Sequence, residues 1–344
     1  MEFITSVMKP HIIYIGNKVS NSKINPTTHS TLVENLRAEG FTVYSASSQK
    51  LKLLRLLDML LLFLRKKSKV TYVLIDVYST QNFWYAVLLA RFAKLYSVNY
   101  IPILHGGDLI SRFNRSEKVT KSLLNNAHAI VSPSEYLKKE VENMRYNQVL
   151  HIPNPLDLNK YPFKQRKNIQ PKLLWVRAFS KIYNPMMAIK AFEIIIEKFP
   201  YAELCMVGPD KDGTLEKCKG YVLSKKLNIS FTGKLKKKEW ISLATNFDIF
   251  INTTRIDNIP VSVLEAISLG LPIISTKVGG IPYLIDDGIN GMLVASNDAQ
   301  AMSQTIEFLI ENPRKAEQMA DSARQNLVKY NWNILKQDWF KLLH

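Results

Sequence analysis

Short apolar segments rich in β-branched residues alternate with longer segments of helical period along almost the whole chain. In the first half, the predicted strands are HIIYIG, FTVYSA, VTYVLIDV, NYIPIL and HAIVSP, and the predicted helices cover residues 27–39, 51–66, 82–96 and 116–126. In the second half, the predicted strands are KLLWVR, AELCMVG, NISFTG, DIFINT, PIIST and GMLVA. Strands that alternate with helices form parallel sheets with helices on both faces. The sequence therefore predicts an α/β protein built from doubly wound, Rossmann-like sheets.

A proline-rich segment without sustained periodicity divides the chain. It reads HIPNPLDLNKYPFKQRKNIQPK and contains four prolines, which is typical of a connection between domains. A chain of 344 residues also exceeds what one hydrophobic core usually fills. The sequence therefore predicts two domains, residues 1–160 and residues 161–330. The aromatic, amphipathic segment 331–344 is predicted to form a last helix that packs back on the first domain.

The chain is strongly basic. It has 46 Lys and Arg residues against 29 Asp and Glu residues, a formal net charge of +17. Such an excess favours anionic partners, and composition alone leaves nucleic acid, an anionic membrane surface and phosphorylated small molecules open. The basic residues show no recognition-helix motif and no interleaving with aromatic residues, so no nucleic-acid partner is expected.

Cysteine content and apolar runs bear on the compartment. Cys205 and Cys218 are too few for a disulfide framework and lack the spacing of a metal site, which favours a reducing cytoplasm. The N-terminal segment does not have the pattern of a signal peptide. The most apolar run, residues 56–64, is far shorter than the ~20 residues that span a bilayer. We expect a cytoplasmic protein, either soluble or peripheral on the inner face of the plasma membrane.

The segment RIDNIPVSVLEAISLGLPIIST, residues 255–276, places acids beside and inside an apolar helix. Pro260 suits the first helical position, and an ionised Glu265 inside the helix needs hydrogen bonds if it is buried. Its carboxylate leans toward the helix start, where the N–H groups of Val261 and Ser262 and the helix dipole favour a phosphate. Asp257 lies on the preceding loop. In the alternative interpretation, Glu265 caps nearby backbone and Asp257 is a solvated loop residue.

The longer segment DNIPVSVLEAISLGLPIISTKVGGIPYLIDDGINGMLV resembles the signature of family 4 retaining nucleotide-sugar glycosyltransferases. The resemblance covers nearly the whole chain and implies the GT-B fold, in which two Rossmann-like domains face each other across a cleft. It implies that Asp257 contacts hydroxyls of the donor sugar and that Glu265 contacts the ribose. Asp257 replaces the usual Glu. Asn258 and Pro260 stand where the family commonly has glycines, so one backbone donor to the phosphates is missing.

Basic residues follow the first strand of the second domain in the segment WVRAFSKIYNP, residues 175–185. Arg177 and Lys181 form a pair of cations that can neutralise a diphosphate. The resemblance implies that they flank the donor pyrophosphate and stabilise the leaving group. It also implies that His105, at the end of a first-domain strand, lies near the transferred sugar. Without the resemblance, Arg177 and Lys181 can be solvated surface cations and His105 a packed histidine.

Other glycine and lysine positions match segments of the same family. Gly16 lies in a loop where family members often have paired glycines, at the meeting point of acceptor and donor phosphate, and here one glycine remains. Gly233 and Lys234 lie in the segment FTGKL, where backbone groups commonly hold the base. The resemblance therefore adds Gly16, Gly233 and Lys234 to the donor-binding residues.

The segment GPDKDG contains Asp210 and Asp212, separated by one residue. In the other major glycosyltransferase fold, such a pair holds a divalent metal on the diphosphate. Here the pair lies in a turn-rich loop, and we interpret it as solvated. We therefore expect no metal and no other cofactor.

The segment QKLKLLRLLDMLLLFLRKKSK, residues 49–69, combines apolar residues with many basic ones. It can be an interfacial helix drawn to anionic lipid, or a core helix with a basic exposed end. We favour the membrane because the family often modifies lipid-linked acceptors.

Together these features predict a retaining, metal-independent hexosyltransferase for cell-surface polysaccharide synthesis. It would move a sugar from a nucleotide diphosphate donor, most simply a UDP-sugar, to a hydroxyl of a glycan or lipid-linked acceptor. The sequence offers no obvious covalent nucleophile, which favours front-face attack assisted by the leaving phosphate. Two alternatives stay open: a nucleotide-sugar 2-epimerase of the same fold, and a basic nucleic-acid-binding protein without enzymatic activity.

Overall fold

The computed structural model describes residues 9–16, 27–46, 49, 51–146 and 149–344. These residues fall into two units. The first comprises the chain up to Leu156 together with Tyr330–His344, and the second comprises Asp157–Lys329. The change of unit therefore lies within the proline-rich segment, four residues before the boundary expected from the sequence.

The first unit contains a parallel six-stranded sheet with the strand order β2-β1-β3-β4-β5-β6. Its strands are β1 (His11–Ile15), β2 (Thr42–Ala46), β3 (Tyr72–Val77), β4 (Asn99–Leu104), β5 (Ile130–Ser132) and β6 (Val149–His151). Five of them confirm the predicted strands. The sequence analysis missed β6, because a three-residue edge strand is too short to show a period.

Helices of the first unit connect these strands. They are α1 (Thr28–Ala38), α2 (Lys52–Lys66), α3 (Asn82–Leu95), α4 (Leu109–Arg115), α5 (Glu117–Asn125), α6 (Glu135–Asn143) and, from the C-terminus, α13 (Trp332–Leu343). Helices α4 and α6 were not predicted. The first has seven residues and the second nine, so neither presents the two or three turns that a periodic pattern needs.

The core of the first unit lies on both faces of its sheet. Strand β3 is buried along its whole length, as expected for a central parallel strand covered on each side. One face packs Ile13 and Val73 against α2 and α3. The other packs Ile12 and Tyr14 against α1 and α13, with Trp339 of α13 among the buried residues. The C-terminal helix therefore completes the core of the first unit.

The second unit contains a parallel six-stranded sheet with the order β12-β11-β10-β7-β8-β9. Its strands are β7 (Lys172–Val176), β8 (Glu203–Val207), β9 (Ile229–Gly233), β10 (Ile249–Asn252), β11 (Ile273–Thr276) and β12 (Met292–Val294). Its helices are α7 (Pro185–Lys198), α8 (Thr214–Lys225), α9 (Lys237–Ala244), α10 (Val261–Ser268), α11 (Ala299–Glu311) and α12 (Pro313–Asn326). All six predicted strands are confirmed. Each unit is thus a doubly wound sheet, as the sequence predicts.

In the ranges given above, none of the helices has both the length and the apolar character needed to cross a bilayer.

Gly16 ends β1 at a crowded point of the first unit. A Cβ atom added there would overlap the buried Asp76 carboxylate, and it would lie 2.6 Å from the His29 ring. Gly220 in α8 is the opposite case, because an added Cβ would meet nothing within 4 Å. The same chemical change therefore has different steric consequences at the two glycines.

We expect Gly16→Ala to lower the free energy of unfolding by about 1–3 kcal/mol, because a close-packed site must shift to accept the methyl group. Gly220→Ala should raise it by up to about 1 kcal/mol, since alanine favours a helix interior over glycine. Urea unfolding of both variants measures the two changes. An unchanged free energy of unfolding for Gly16→Ala would contradict the packing described for Asp76.

Candidate functional site

The start of α10 lies at the carboxyl end of the second sheet. Pro260 has φ −69° and ψ 114°, so it caps the helix and does not occupy the first helical position that the sequence suggested. Its carbonyl accepts the N–H groups of Val263 and Leu264 at 3.0 and 3.2 Å. The N–H groups of Val261 and Ser262 come before these bonds, where a helix has no internal acceptors. The Ser262 hydroxyl is buried and has no hydrogen-bond partner among the described residues.

Glu265 is buried in the middle of α10. The Tyr161 hydroxyl donates a hydrogen bond of 2.8 Å to Glu265 Oε1, and Lys237 Nζ lies 2.5 Å from the same oxygen. Burial and the nearby Glu265 charge raise the pKa of Tyr161 well above its ordinary value, so the phenol stays protonated. The carboxylate is therefore bound by two side chains that the sequence analysis did not single out.

Arg177 and Asp257 form an ion pair, and the side chain of each is 16% exposed. They come together because Arg177 follows β7, Asp257 lies on the loop after β10, and these two strands are neighbours in the sheet. The Arg177 guanidinium also lies over the Tyr183 ring, 4.7 Å from its centroid. Burial lowers the pKa of Arg177 to about 10, which leaves the side chain charged at neutral pH. Two predicted donor-site residues therefore bind each other.

Glycines bring the loop of Asp257 close to the following loop. The Gly280 N–H donates a 2.9 Å hydrogen bond to the Asp257 carbonyl. An added Cβ at Gly279 would overlap the Asp257 carbonyl, and one at Gly280 would overlap the Asn258 carbonyl. Gly279 also has φ +53°, which side-chain-bearing residues rarely adopt. The two glycines of the sequence KVGG therefore allow the acid-bearing loop to lie where it does.

The Lys181 loop is held by Asp212. The carboxylate accepts hydrogen bonds from the Lys181 backbone N–H at 3.0 Å and from the Ser180 hydroxyl at 2.9 Å. Hydrogen bonds from the Thr214 hydroxyl and the Lys181 N–H lower the pKa of Asp212 to about 2. The Lys181 side chain itself is exposed. Asp212 is therefore more than a solvated loop residue, since it orders the segment that carries Lys181.

Other residues of the second unit lie at or beyond the ends of β7 and β9. The Gly233 carbonyl accepts the Gly208 N–H at 2.9 Å, and Lys234 is exposed beyond the end of β9. Asn184 lies at the N-cap of α7, but its side chain makes no capping bond. Instead the side chain donates to Asn297 Oδ1 at 3.0 Å.

Within the described parts of the chain, no group of three or more His, Cys, Asp or Glu side chains is placed to hold an ion. Asp210 Oδ1 instead accepts the N–H groups of Asp212 and Leu215, each at 3.4 Å.

In the first unit, His105 follows β4 and is buried. Its Nε2 atom lies 3.0 Å from Asp76 Oδ1, and its ring stacks on Tyr78 with centroids 5.1 Å apart. The Tyr14 hydroxyl donates to the same Asp76 oxygen at 2.8 Å. Asp76 Oδ2 is buried without a hydrogen-bond partner among the described residues. Asp76 was not singled out in the sequence, because it appears there as one polar residue in an apolar strand.

A small, partly open cavity adjoins this cluster in the first unit. Its floor is apolar and includes Met59 and Leu89 from α2 and α3. Its polar lining is Gly16, Arg55, Asp76, Tyr78, Asn82 and Tyr85. Gly16, a predicted site residue, therefore lies on the cavity wall beside Asp76.

Comparisons with known proteins agree with this architecture. Residues 158–326 match the family model described as glycosyl transferases group 1. The structure of the Anabaena protein HepE in complex with UDP and glucose superposes with a TM-score of 0.75 at 14% identity, covering 97% of this chain and 99% of that one. Sucrose-phosphate synthase from Thermosynechococcus elongatus gives a TM-score of 0.78 at 15% identity, covering 97% and 98%. The chain therefore has the GT-B fold, and its residues 158–326 match the group 1 glycosyl transferase family.

Curated relatives match this chain over part of their length. An uncharacterized glycosyltransferase of Methanocaldococcus jannaschii is 23% identical over 69% of this chain and 65% of its own length. The N-acetyl-alpha-D-glucosaminyl L-malate synthase of Bacillus anthracis is 27% identical over 61% of this chain and 54% of its own length. The sulfoquinovosyl transferase of Arabidopsis thaliana is 27% identical over 42% of this chain. The matches span less than two thirds of each of these relatives.

The hydrogen bonds of Asp212 predict a pH-dependent contribution to stability. The pKa of Asp212 is lowered in the folded protein from 3.8 to about 2. Its contribution is therefore present above the unfolded pKa and is lost as the pH falls through the folded value. We expect Asp212→Asn to lower Tm slightly near neutral pH, and the difference from wild type to vanish as the pH approaches 2.

Thermal unfolding of both proteins as a function of pH measures this difference. Asp210→Asn serves as the matched control, because the hydrogen bonds of Asp210 to the same loop are long, at 3.4 Å. An Asp212→Asn effect that stays constant with pH would contradict the assignment.

Proposed function

We propose that this protein transfers a sugar from a nucleoside diphosphate donor to a hydroxyl group of a glycan or lipid-linked acceptor. The observation that carries the proposal is the arrangement around the start of α10. Two backbone N–H groups that have no acceptor inside the helix, and the buried Ser262 hydroxyl, which has no hydrogen-bond partner among the described residues, lie on the same helix as Glu265. Arg177 and Asp257 are paired at the ends of neighbouring elements. Hydrogen-bond donors suit a diphosphate, and acids suit the hydroxyls of the attached rings.

In the proposed mechanism, the second unit stabilises the diphosphate that leaves the donor sugar. Negative charge builds on the β-phosphate as the bond to the sugar breaks, and preorganised donors at that point lower the barrier. Arg177, Lys181 and the N–H groups of Val261 and Ser262 supply these donors. In this mechanism, Glu265 accepts from the ribose and Asp257 from the sugar. Gly233 and Lys234 adjoin the base.

Retention of anomeric configuration and independence of metal are part of the proposal. The residues described around α10 include no carboxylate that is both near and uncommitted: Asp257 is paired with Arg177, and Glu265 with Lys237. This favours front-face attack over a covalent sugar intermediate. The cations Arg177 and Lys181 supply the charge that a metal would otherwise bring.

The proposals for the donor base and the acceptor rest on similar proteins and on the first unit. HepE and the pneumococcal O-GlcNAc transferase GtfA have been solved with UDP, which favours a UDP-sugar here. A relative from Campylobacter jejuni, 29% identical over 31% of this chain, is named as a transferase acting on a diphospho-undecaprenol-linked sugar. In the first unit, the small cavity lined by Asp76 and Tyr78 is a candidate contact point for part of an acceptor.

Helix α2 supports a peripheral membrane location, on the cytoplasmic face that the sequence analysis expected. A row of leucines on this helix faces solvent: Leu53 is 70% exposed, and Leu54, Leu57, Leu61 and Leu64 are between 39% and 48% exposed. Basic residues flank the row, with Lys66 and Lys67 over the rings of Tyr44 and Tyr96. An exposed leucine row with a basic border suits insertion into an anionic lipid surface.

The test of catalysis is nucleotide-sugar turnover. We expect Arg177→Ala to lower kcat by about 10²–10³-fold, as loss of one preorganised donor does in other active sites. Lys181→Ala should lower it by a smaller factor, because its side chain is exposed. Mass spectrometry of UDP-sugar mixtures with candidate acceptors measures the rates, with folding checked by circular dichroism.

Lys211→Ala is the control for this test, since Lys211 is an exposed cation on a neighbouring loop. Near-wild-type rates for Arg177→Ala would remove that residue from the mechanism. A sugar altered in the absence of any acceptor would instead indicate an epimerase. Nucleic-acid binding much tighter than nucleotide-sugar binding would indicate a non-enzymatic role.

The test of membrane binding is sedimentation with vesicles that contain anionic phospholipid. The double variant Leu53→Glu/Leu57→Glu should bind at least about ten-fold more weakly, because it loses apolar insertion and adds charge of the lipid's own sign. Leu223→Glu is the control, because Leu223 is 80% exposed on α8 in the second unit. If Leu223→Glu weakens vesicle binding as much as the double variant does, α2 is not a specific membrane-binding surface.

A further inference from the structure

Three segments that are far apart in the sequence meet at Glu265. Tyr161 follows a short 3₁₀ turn, Leu158–Lys160, Lys237 is the first residue of α9, and Glu265 lies inside α10. Besides their contacts with the carboxylate, Tyr161 and Lys237 touch each other, with Lys237 Nζ 5.2 Å from the Tyr161 ring centroid. Tyr161 is 3% exposed. The three side chains therefore form one packed network.

The two donors occupy the same oxygen of the carboxylate. Both the Tyr161 hydroxyl, at 2.8 Å, and Lys237 Nζ, at 2.5 Å, contact Oε1. Neither of these two contacts uses Oε2, and the Glu265 side chain is 9% exposed. A carboxylate has two oxygens, and each can accept hydrogen bonds. Oε2 is therefore an acceptor site that a ligand hydroxyl can use.

We propose that Tyr161 and Lys237 are positioning residues for the ribose of the nucleotide donor. They hold Oε1 so that Glu265 stays in one orientation and presents Oε2 to a ribose hydroxyl. The inference deepens the proposed function and rests on it, since it assumes that a nucleoside diphosphate binds beside α10. Neither residue carries out a chemical step.

Charge neutralisation gives Lys237 a second physical effect. A carboxylate one turn from the start of α10 repels the phosphates that this helix start would otherwise attract. Lys237 balances that charge without occupying Oε2. The hydrogen bond from Tyr161 adds direction, because a phenol held by burial has few other orientations. Affinity for the ribose should therefore depend on both residues, while affinity for the diphosphate depends more on Lys237.

The second unit contains a matched network that serves as a control. The Tyr221 hydroxyl donates to Glu193 Oε2 at 2.6 Å, and Lys225 Nζ lies 3.0 Å from Glu193 Oε1. These residues lie on α7 and α8, and here the two donors occupy different oxygens. Tyr221→Phe therefore removes the same chemical group from the same kind of network at a place where no ligand is proposed.

The experiment is isothermal titration of the full chain with UDP, GDP and ADP and with their 2′,3′-dideoxy counterparts. For the ribonucleotide that binds wild type most tightly, we expect Tyr161→Phe to weaken binding about ten-fold, or about 1.4 kcal/mol. The dideoxy counterpart should bind Tyr161→Phe and wild type within about two-fold, because it lacks the hydroxyls that reach Glu265. Tyr221→Phe should change neither affinity.

Lys237→Met provides the second variant, since it keeps an apolar stem and removes the charge. It should weaken binding of both the ribonucleotide and the dideoxy form. Tighter ribonucleotide binding by Lys237→Met would overturn the inference, because Lys237 would then compete with the ribose. The inference would also be overturned if Tyr161→Phe lost as much affinity for the dideoxy nucleotide as for the ribonucleotide. If wild type binds none of the nucleotides, the proposed function itself fails.

Discussion

The ion pair between Arg177 and Asp257 is the interaction on which the donor-side arrangement depends. It joins the end of β7 to the loop after β10, and that loop leads into the start of α10. Arg177 is largely buried, so its charge would be costly without the carboxylate. The close approach of the loop to Gly279 and Gly280 keeps the acid in place. Removing either feature would separate the cation from the helix start.

Both acids near α10 are neutralised by cations from other elements, Asp257 by Arg177 and Glu265 by Lys237. Two uncompensated carboxylates would weaken anion binding, because their negative charge opposes the dipole and the N–H groups at the helix start. With each acid paired, hydrogen-bond acceptors for hydroxyl groups and donors for phosphate can coexist in a small volume. In the proposed function, this pairing allows one site to bind both the phosphates and the hydroxylated rings of a nucleotide sugar.

The two units share an architecture but use polar and apolar groups differently. In the first unit, Asp76 is buried beneath Tyr14 and His105, and the leucines of α2 face solvent. In the second, charged residues meet at the carboxyl ends of the strands. The common fold does not explain this difference, since function depends on the side chains placed at the strand ends. In the proposed function, the first unit contacts the acceptor and the second unit binds the donor.

The sequence by itself determined the two doubly wound sheets, because burial of parallel strands on both faces leaves a local apolar pattern that β3 and β7 display. Through the family resemblance it also predicted Arg177, Asp257 and Glu265 as donor-site residues. It missed β6, α4 and α6, which are too short to show a period, and it misplaced Pro260 by one position. Only the tertiary structure decided that Tyr161 binds Glu265 across 104 residues and that Lys237 shares the same oxygen. Contacts of this kind follow from how helices pack on a sheet, and local periodicity carries no record of them.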